Sequence, residues 1–575
     1  MKRKTAAILT GIVLTFSAVV SGCSSTDTST AESTTEEATE DTSEEVTVET
    51  DGAEGSNSES IDVAENGEIP DGEAPTGDMP EGGAPEGEMP EGGAPNGEAP
   101  SGDMPEGGGF GGGANTQTYD YEGDISGTLV ADATEVTSES EEIESTTADV
   151  NVATAMNAGT LTIKNGTLTK SGDDDNGDNC NFYGINSIIL SVNEGSTLYI
   201  SDSDLSADST GSNAMFATDS GTIYAYNDTI TTTSDNSRGL DATYAGTIVA
   251  DSMNITTNGD HCATIATDRG GGSISATNST LSTAGSGSPL LYSTGDIEVD
   301  NVIGTASGSQ IAGMEGLNTI LIYNSDLTST ITKATASDPV ANAVIIYQST
   351  SGDAETTTGD TALFQAVDSS LTSSIAEGSF FYVTNTDATI YVENTDISYD
   401  SSAADLLTIE GNDANSWGTA GSNGGDVTFT ASEQVLEGDL VVDTISSVDF
   451  YLLNGSTWTG SAEIEENAVN TSATDAPITI NVSSDSTWVV TESCTISALN
   501  VEDGGQVVDE KGNTVTIIAN GETVVEGTSD ITVTVEGSYG TSVETSDANE
   551  ESTTYIDRTA FDEYYGTSTD LGTNS

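Results

Sequence analysis

A short pattern of apolar and polar residues recurs at a nearly constant interval through the middle of the chain. It runs apolar, any, apolar, any, small polar, any, any, apolar, and the small polar residue is most often asparagine. From residue 198 the first position recurs at 223, 248, 274, 297 and 320. This period is typical of a solenoid, in which each repeat stacks on the next. The clearest copies are 161–168, 198–205, 223–230, 248–255, 274–281, 320–327 and 390–397.

The period of two inside each repeat indicates β-strands and not helices. Thr, Ile, Val and Tyr fill the repeats, and a second short apolar run precedes them, at 215–217, 240–242, 264–266 and 290–292. Stacked coils ~4.8 Å apart would let each strand pair with its equivalents above and below. The sequence therefore predicts an all-β fold, a parallel β-helix.

The recurring asparagine is predicted to lie at an inward-facing corner of each coil. Stacked amide side chains would hydrogen-bond one another there, so that each buried amide is satisfied by its neighbours. Asp202 and Ser252 occupy the same position in their repeats and are also small and polar.

The repeat resembles a group of bacterial surface lipoproteins, largely uncharacterised, with a right-handed parallel β-helix of the pectate-lyase-like or adhesin type. The segments that carry the resemblance are 181–186, 240–246 and 266–272, and the likeness covers roughly residues 118–565. The resemblance is specific for the fold and weak for the activity, because this fold hosts lyases, hydrolases, adhesins and binding modules.

Residues 1–23 have the features of a lipoprotein signal peptide. Three of the first four residues are basic, and the apolar stretch at 6–20 is too short for a spanning helix. The stretch ends in Val-Ser-Gly-Cys, which resembles the lipobox of bacterial lipoproteins. We therefore expect lipidation at Cys23 and anchoring to the membrane on the extracytoplasmic side, at the cell surface. An ordinary secretory signal that contains a cysteine is the alternative.

Residues 24–115 contain no Lys or Arg and almost no bulky apolar side chain. The first half is rich in Ser, Thr, Asp and Glu, and in the second half prolines recur at every fifth position from 70 to 105. Such a composition cannot bury enough apolar surface to offset the entropy of ordering. A disordered acidic linker is predicted here, acting as a tether for the folded part.

The remaining chain is predicted to divide into the β-helix at 116–500 and cap strands with a tail at 501–575. Tyr119 and Tyr121 are expected to start or cap the solenoid, because an open end would expose unpaired strand edges. The alternation on both sides of Asn520-Gly521 predicts a hairpin-like cap. Residues 556–565 are expected to form a short helix or hook that packs back on the solenoid.

The charge balance excludes one class of partner. Lys and Arg number 10 against 96 Asp and Glu, for a net charge of −86. Nucleic acid needs basic contacts to phosphate and is therefore not expected as a ligand, and polyanions are disfavoured unless divalent cations bridge them. A single histidine excludes a site with several histidine ligands. Cys180 and Cys262 are about three coils apart, so no disulfide is expected between them.

Five residues of unlike chemistry, drawn from two adjacent coils, are the strongest candidate for a binding site: Arg238, Asp241, His261, Asp268 and Arg269. The resemblance implies two catalytic schemes for such groups, a lyase with a basic residue and calcium or a hydrolase with paired carboxylates. Asp241, Asp268 and Arg269 are weak catalytic candidates, because the motifs of neither class are present. A salt-bridged corner without further role is the alternative.

A second candidate is the loop that carries Asp173, Asp174, Asp175 and Asp178. Its dense carboxylate and amide oxygens suit Ca²⁺, although the spacing departs from the EF-hand pattern. A solvated acidic loop is the alternative. The three tryptophans are candidates for stacking on sugars, but Trp458 and Trp488 fit the strand register and are predicted to pack in the core or cap.

The sequence is most consistent with a surface-anchored lipoprotein that presents a β-helix for binding or adhesion. The expected ligand is a polysaccharide or another cell surface. A polysaccharide lyase or hydrolase is the alternative, and a passive spacer is the third. The lack of lyase and hydrolase motifs favours binding over catalysis.

Overall fold

The computed structural model describes residues 118–349, 354, 361–412, 417–472 and 477–573. Short parallel strands dominate these ranges, and successive coils add strands to three long stacked sheets. The chain is a right-handed parallel β-helix, as the repeat predicts. The predicted signal peptide, the lipidation of Cys23 and the acidic linker lie outside the described residues.

The first sheet has 13 strands, each hydrogen-bonded to its equivalent in the coils above and below. Its strands are Gly127–Asp132, Asn151–Met156, Ile189–Val192, Met215–Thr218, Leu240–Ala242, Ile265–Thr267, Leu291–Ser293, Ala312–Glu315, Asn342–Tyr347, Ser379–Thr384, Asp405–Ile409, Leu440–Asp443 and Ala462–Glu465. The short apolar runs of the sequence are strands of this sheet. The first coil begins at Gly127, well before the first clear repeat.

The second sheet has 15 strands and contains the repeat itself. Its strands are Glu135–Glu139, Thr160–Lys164, Thr197–Ser201, Thr222–Tyr226, Gly246–Asp251, Gly272–Thr277, Asp296–Asp300, Thr319–Tyr323, Ala362–Val367, Ala388–Glu393, Asp426–Ser432, Ser447–Leu453, Ile478–Val482, Ala498–Val501 and Tyr539–Gly540.

The third sheet has 10 strands, and two four-stranded sheets complete the described strands. The third sheet comprises Glu142–Ser145, Thr167–Lys170, Asp204–Ala207, Thr229–Thr232, Asn254–Thr257, Thr280–Thr283, Ile303–Ala306, Asp326–Ser329, Ser370–Ser373 and Asp396–Ser398. One small sheet comprises Val435–Glu437, Thr457–Gly460, Thr487–Val490 and Gln506–Asp509. The other comprises Cys494–Ile496, Thr532–Val535, Thr516–Ala519 and Glu522–Val525.

Equivalent apolar residues of successive coils lie one above another and form the core. One column of the second sheet consists of Leu161, Leu198, Ile223, Ile248, Ile274, Ile297 and Ile320. All of them are buried, and each fully buried side chain of this size contributes about 1.5–3 kcal/mol. A register slip of one residue would turn the whole column outward, so the alternation fixes the pairing.

The asparagines of the repeat lie at outward-facing corners, and the predicted inward-facing position is wrong. Asn227 and Asn278 are exposed and have φ of 58° and 52°, in the left-handed region. Asparagine tolerates this conformation better than most L-residues, which explains its recurrence. The side chains do bond along the stack: the Asn227 amide donates to Asp202 Oδ1 at 2.7 Å, and Asn301 donates to Asn278 Oδ1 at 2.7 Å.

The buried polar column lies one residue after these asparagines. Its side chains accept hydrogen bonds from the backbone N–H of the adjacent coil: Ser203 from Gly166, Asp228 from Ser203, Ser279 from Met253 and Ser325 from Val302. Each bond satisfies a buried donor at a corner where the strands stop pairing.

The two ends of the described chain pack differently. Tyr119 and Tyr121 lie beside Tyr183, with ring centroids 5.4 and 5.1 Å away, and Tyr119 also contacts Tyr244. Tyr119 also packs against Leu190, Val192 and Phe216 on the outer face of the first sheet. At the other end, the antiparallel pairing of Thr516–Ala519 with Glu522–Val525 confirms the predicted hairpin across Asn520-Gly521.

Residues 546–573, the C-terminal strap, run back along the outer face of the second sheet. The strap contains helix α2 (Thr559–Tyr565), which confirms the helix predicted to pack back on the solenoid. Its polar contacts reach from late coils to early ones: Asn549 with Thr430, Ser552 with Gln365, Arg558 with Ser275 and Tyr565 with Ile200.

Candidate functional site

A cleft of about 280 Å³ lies on the outer face of the first sheet. Helix α1 (Gly177–Tyr183), three neighbouring strands of the first sheet, the turns that precede or follow its strands and residues 336–338 contribute to its lining. Three of the five predicted binding residues line it, namely Arg238, His261 and Asp268.

Helix α1 is held in place by polar contacts at its ends and along its backbone. The Asn176 side chain caps it by accepting from the Asp178 N–H at 3.1 Å, and Gly184 ends it with φ of 67°. Cys180 and Phe182 are buried beneath it. The Thr243 hydroxyl, on an outward position of the first sheet, donates to the Phe182 carbonyl at 2.8 Å. The helix therefore forms a fixed wall of the cleft.

The Arg238 guanidinium joins three elements at the bottom of the cleft. Its nitrogens lie 3.4 Å from Asp241 Oδ2 and 3.2 Å from Asp268 Oδ2. It also donates to Asn181 Oδ1, on helix α1, at 2.9 Å. Arg238 is 8% exposed, so these contacts occur in a largely dry environment and are strengthened by it.

Asp241 is fully buried next to this guanidinium. Neither of its carboxylate oxygens has a hydrogen-bond partner, and the ion pair with Arg238 is its one charged contact within 4 Å in the described chain. Desolvation raises the pKa of Asp241 well above its ordinary value, while the charge of Arg238 opposes the rise. Asp241 therefore stabilises Arg238 from below and cannot touch a ligand.

The other two predicted residues have different positions. The Arg269 guanidinium lies over the Phe182 ring, 3.6 Å from its centroid, and thereby packs against helix α1. His261 is exposed, at the rim of the cleft, and has φ of 57°. The structure thus gathers Arg238, Asp241 and Asp268 tightly and leaves Arg269 and His261 at the periphery.

Two tyrosines and a glutamate complete the site, and the sequence analysis did not predict them. The hydroxyls of Tyr292 and Tyr347 both donate to Glu315 Oε2, at 2.9 and 3.1 Å. Burial and the nearby carboxylate of Glu315 raise the pKa of both tyrosines. The Ser349 hydroxyl donates to the other oxygen of Glu315. This network fixes the orientation of both rings beside the cleft.

The residues that were not predicted lie in outward-facing columns of the first sheet, beside the predicted ones. Asp241 and Tyr292 align in one outward-facing column of the first sheet, through Ala266. Glu315 pairs directly with Tyr347 in the next outward-facing column. The sequence signal for these residues was a polar or aromatic side chain at an outward-facing position of a strand. To use it, one must know how strands pair between coils of unequal length.

Asp338 also lines the cleft, on the segment that follows the third-sheet strand Asp326–Ser329. The Asn342 amide donates to its Oδ2 at 3.0 Å. Burial raises the pKa of Asp338 to about 6. The carboxylate is therefore ionised at neutral pH and neutral in mild acid.

The tryptophans do not offer free faces for stacking. Trp458 and Trp488 are fully buried and stacked, with centroids 5.1 Å apart, which confirms the predicted core packing. Their indole N–H groups donate to the carbonyls of Gly438 and Gly460. Trp417 is 8% exposed and stacks on Tyr347 at 4.4 Å, so it supports the cleft from behind.

The loop proposed for Ca²⁺ is held by hydrogen bonds to neighbouring segments and within the loop. Asp173 accepts from the Thr210 N–H at 3.0 Å, and burial raises the pKa of Asp174. The backbone N–H groups of Asp175 and Asp178 donate to Asp149 and Asn176. Within the described ranges, no group of three or more His, Cys, Asp or Glu side chains is arranged to hold a metal ion.

The cysteines belong to the packing of the solenoid. Cys180, Cys262 and Cys494 are free thiols in the described chain. Cys262 takes a position that serine occupies in the next coil: its sulfur accepts from the Ser237 N–H at 3.0 Å, and its own N–H donates to Ser288 Oγ at 2.9 Å. Burial raises the pKa of the Cys262 thiol to about 11, which makes it unreactive.

No protein-family model, no curated protein and no solved structure matches the chain. Neither helix in the described ranges, each of seven residues, is long and apolar enough to cross a membrane.

Proposed function

We propose that the protein is a cell-surface lipoprotein whose β-helix binds carbohydrate in the cleft of the first sheet. The supporting observation is the juxtaposition of the Tyr292 and Tyr347 rings, both partly exposed, with the ion pair of Arg238 and Asp268. Aromatic rings suit the apolar C–H faces of a sugar, and fixed polar groups suit its hydroxyls. The volume is near the lower end of the usual range of roughly 300–1,000 Å³, which suits one or two sugar units.

The sequence supplies the argument for anchoring. The lipobox-like ending at Cys23 and the acidic, proline-punctuated stretch at 24–115 together suit a lipid anchor followed by an extended tether. Under this proposal the protein belongs with the surface lipoproteins of pectate-lyase-like or adhesin type, on the extracytoplasmic side of the membrane. Mass spectrometry of the mature N-terminal peptide tests the anchor: acyl groups on Cys23 are expected, and an unmodified thiol would contradict it.

Binding is better supported than catalysis. A hydrolase needs two carboxyl groups in contact with the glycosidic bond or its attacking water, whereas Asp241 is fully buried and Asp268 is ion-paired with Arg238. Arg238 is engaged by Asn181, Asp241 and Asp268, so it is poorly placed to abstract a proton. These contacts favour recognition over catalysis in the proposal.

A glycan array with the purified full chain in detergent tests the proposal. We expect retention of at least one class of oligosaccharide, its loss in Tyr292→Ala, and no product release during prolonged incubation. Tyr451→Ala, on the second sheet, is the matched control and should bind like the native chain. A chain that binds no glycan, or equal binding by both variants, would overturn the proposal and favour a passive spacer. Cleavage of the oligosaccharide would instead favour the lyase or hydrolase.

A further inference from the structure

The charges around the cleft do not balance. Arg238 is the single lysine or arginine that lines it in the described part of the chain. Two carboxylates, of Asp241 and Asp268, share this one guanidinium. Asp338 is the second carboxylate of the lining, after Asp268, and Glu315 lies behind Tyr292 and Tyr347 and accepts hydrogen bonds from both hydroxyls.

The guanidinium of Arg238 is already occupied. One terminal nitrogen contacts Asn181 and Asp241, and the other contacts Asp268. An anionic sugar would therefore meet a cation that is already engaged by three side chains, together with the carboxylates of Asp268 and Asp338 in the lining. Like charges in such a partly desolvated site repel strongly, so a uronate or sulfated sugar is disfavoured.

The walls of the cleft favour a cation. Tyr292 and Tyr347 present aromatic rings there, and a ring face attracts an ammonium group within about 6 Å. The same molecule shows this preference at helix α1, where Arg269 lies over Phe182 at 3.6 Å. An ammonium group in the cleft would also contact the carboxylate of Asp338 and relieve the excess negative charge.

We infer that the cleft selects a sugar that carries a free amino group, with the ammonium at Asp338 and the sugar ring against Tyr292 and Tyr347. The inference rests on the proposed function and narrows its ligand from carbohydrate in general to amino sugars that are not acetylated.

The pH dependence of binding follows from the charge of Asp338 and the charge of the ammonium group on the sugar. Asp338 ionises as the pH rises through about 6, and its neighbours in the cleft are the charged or titratable side chains of Arg238, His261, Asp268, Glu315, Tyr292 and Tyr347. An amine with a pKa near that of an α-amino group loses its charge at about 7.7–8.0. Affinity for the amino sugar should therefore rise from pH 5 to 7 and fall again above about 8.

Calorimetry with the full chain tests the inference, using glucosamine tetrasaccharide and N-acetylglucosamine tetrasaccharide as probes. We expect the free-amine form to bind about ten-fold more tightly, as one charge-assisted contact allows. Asp338→Asn keeps the shape and removes the charge, and it should remove most of this preference. Asp396→Asn, an exposed carboxylate on the third sheet, is the control for general attraction to an acidic protein and should change nothing.

The possible results distinguish a failure of the amino-sugar inference from a failure of the proposed carbohydrate binding. Equal binding of both probes, or binding of neutral glycans alone, would overturn the amino-sugar inference and leave carbohydrate binding intact. Equal losses in Asp338→Asn and Asp396→Asn would also overturn it, because the attraction would then be unspecific. A chain that binds no glycan of any kind would overturn the proposed function itself. Thermal unfolding of each variant checks that it is folded.

Discussion

The Arg558 guanidinium donates to Ser275 Oγ at 2.7 Å across 283 residues of sequence. Arg558 also donates to the carbonyls of Ser275 and Ala250 and to Thr277 Oγ1. It is 5% exposed and lies 4.9 Å from the centroid of the Phe561 ring. The Arg558 side chain thus binds the C-terminal strap to two adjacent strands of the second sheet.

Replacing Arg558 is expected to loosen the strap. Arg558→Ala removes several charge-assisted hydrogen bonds and should lower the free energy of unfolding by about 2–3 kcal/mol. Equilibrium denaturation of the full chain measures the loss, and limited proteolysis should locate new cleavage within the strap. Lys511→Ala is the control. Unchanged stability together with an unchanged digestion pattern would show that the strap is held without this residue.

The buried carboxylate of Asp228 should make stability depend on pH. Its Oδ1 accepts from the Ser203 N–H at 2.8 Å, and its Oδ2 has no hydrogen-bond partner among the described residues. Desolvation raises the pKa of Asp228 well above the ordinary value. The folded chain then binds this proton more tightly than the unfolded chain. Its contribution to stability is therefore present at low pH and is lost as the pH rises through the raised pKa.

Asp228→Asn removes this titration. The variant should be more stable than the native chain at pH 8, with a difference that shrinks toward pH 4. Denaturation midpoints across this range measure the difference. A constant difference between the two chains would mean that Asp228 does not titrate differently on folding.

The corner asparagines should tolerate glycine better than alanine. Asn278 has φ of 52°, and a side chain with an ordinary Cβ costs about 1–2 kcal/mol there. Asn278→Ala should lose about this amount, and Asn278→Gly should lose less, although both lack the hydrogen bonds to Asp251 and Asn301. Thermal unfolding compares the two. If the glycine variant were as unstable as the alanine variant, the hydrogen bonds would be the dominant contribution.

The sequence predicts the parts of this structure that depend on local alternation. The period of two identifies the strands of the second sheet, and the interval between repeats aligns their buried columns. It does not reveal the direction of the corner asparagine, because a polar residue after a strand fits either a buried ladder or a left-handed turn. The positive φ of Asn227 and its exposure decide between these.

The site was only partly predictable for a related reason. Arg238 and Asp241 are three residues apart, and Asp268 lies one coil away, so a scarce basic residue among acids was sufficient to mark the group. Tyr347 and Asp338 belong to a longer coil. Because its length departs from the regular interval, the sequence does not show which residues of the neighbouring coil they pair with. The contact between Arg558 and Ser275 has no local signal at all, because it depends on where the strap runs after the last coil.

The most direct test of carbohydrate recognition is a crystal structure of the full chain soaked with the oligosaccharide retained on the array. We expect electron density for a sugar in van der Waals contact with Tyr292 and Tyr347, within hydrogen-bond distance of Asp268 or Asp338. Density for the sugar on another face of the solenoid, with the cleft holding none, would contradict it.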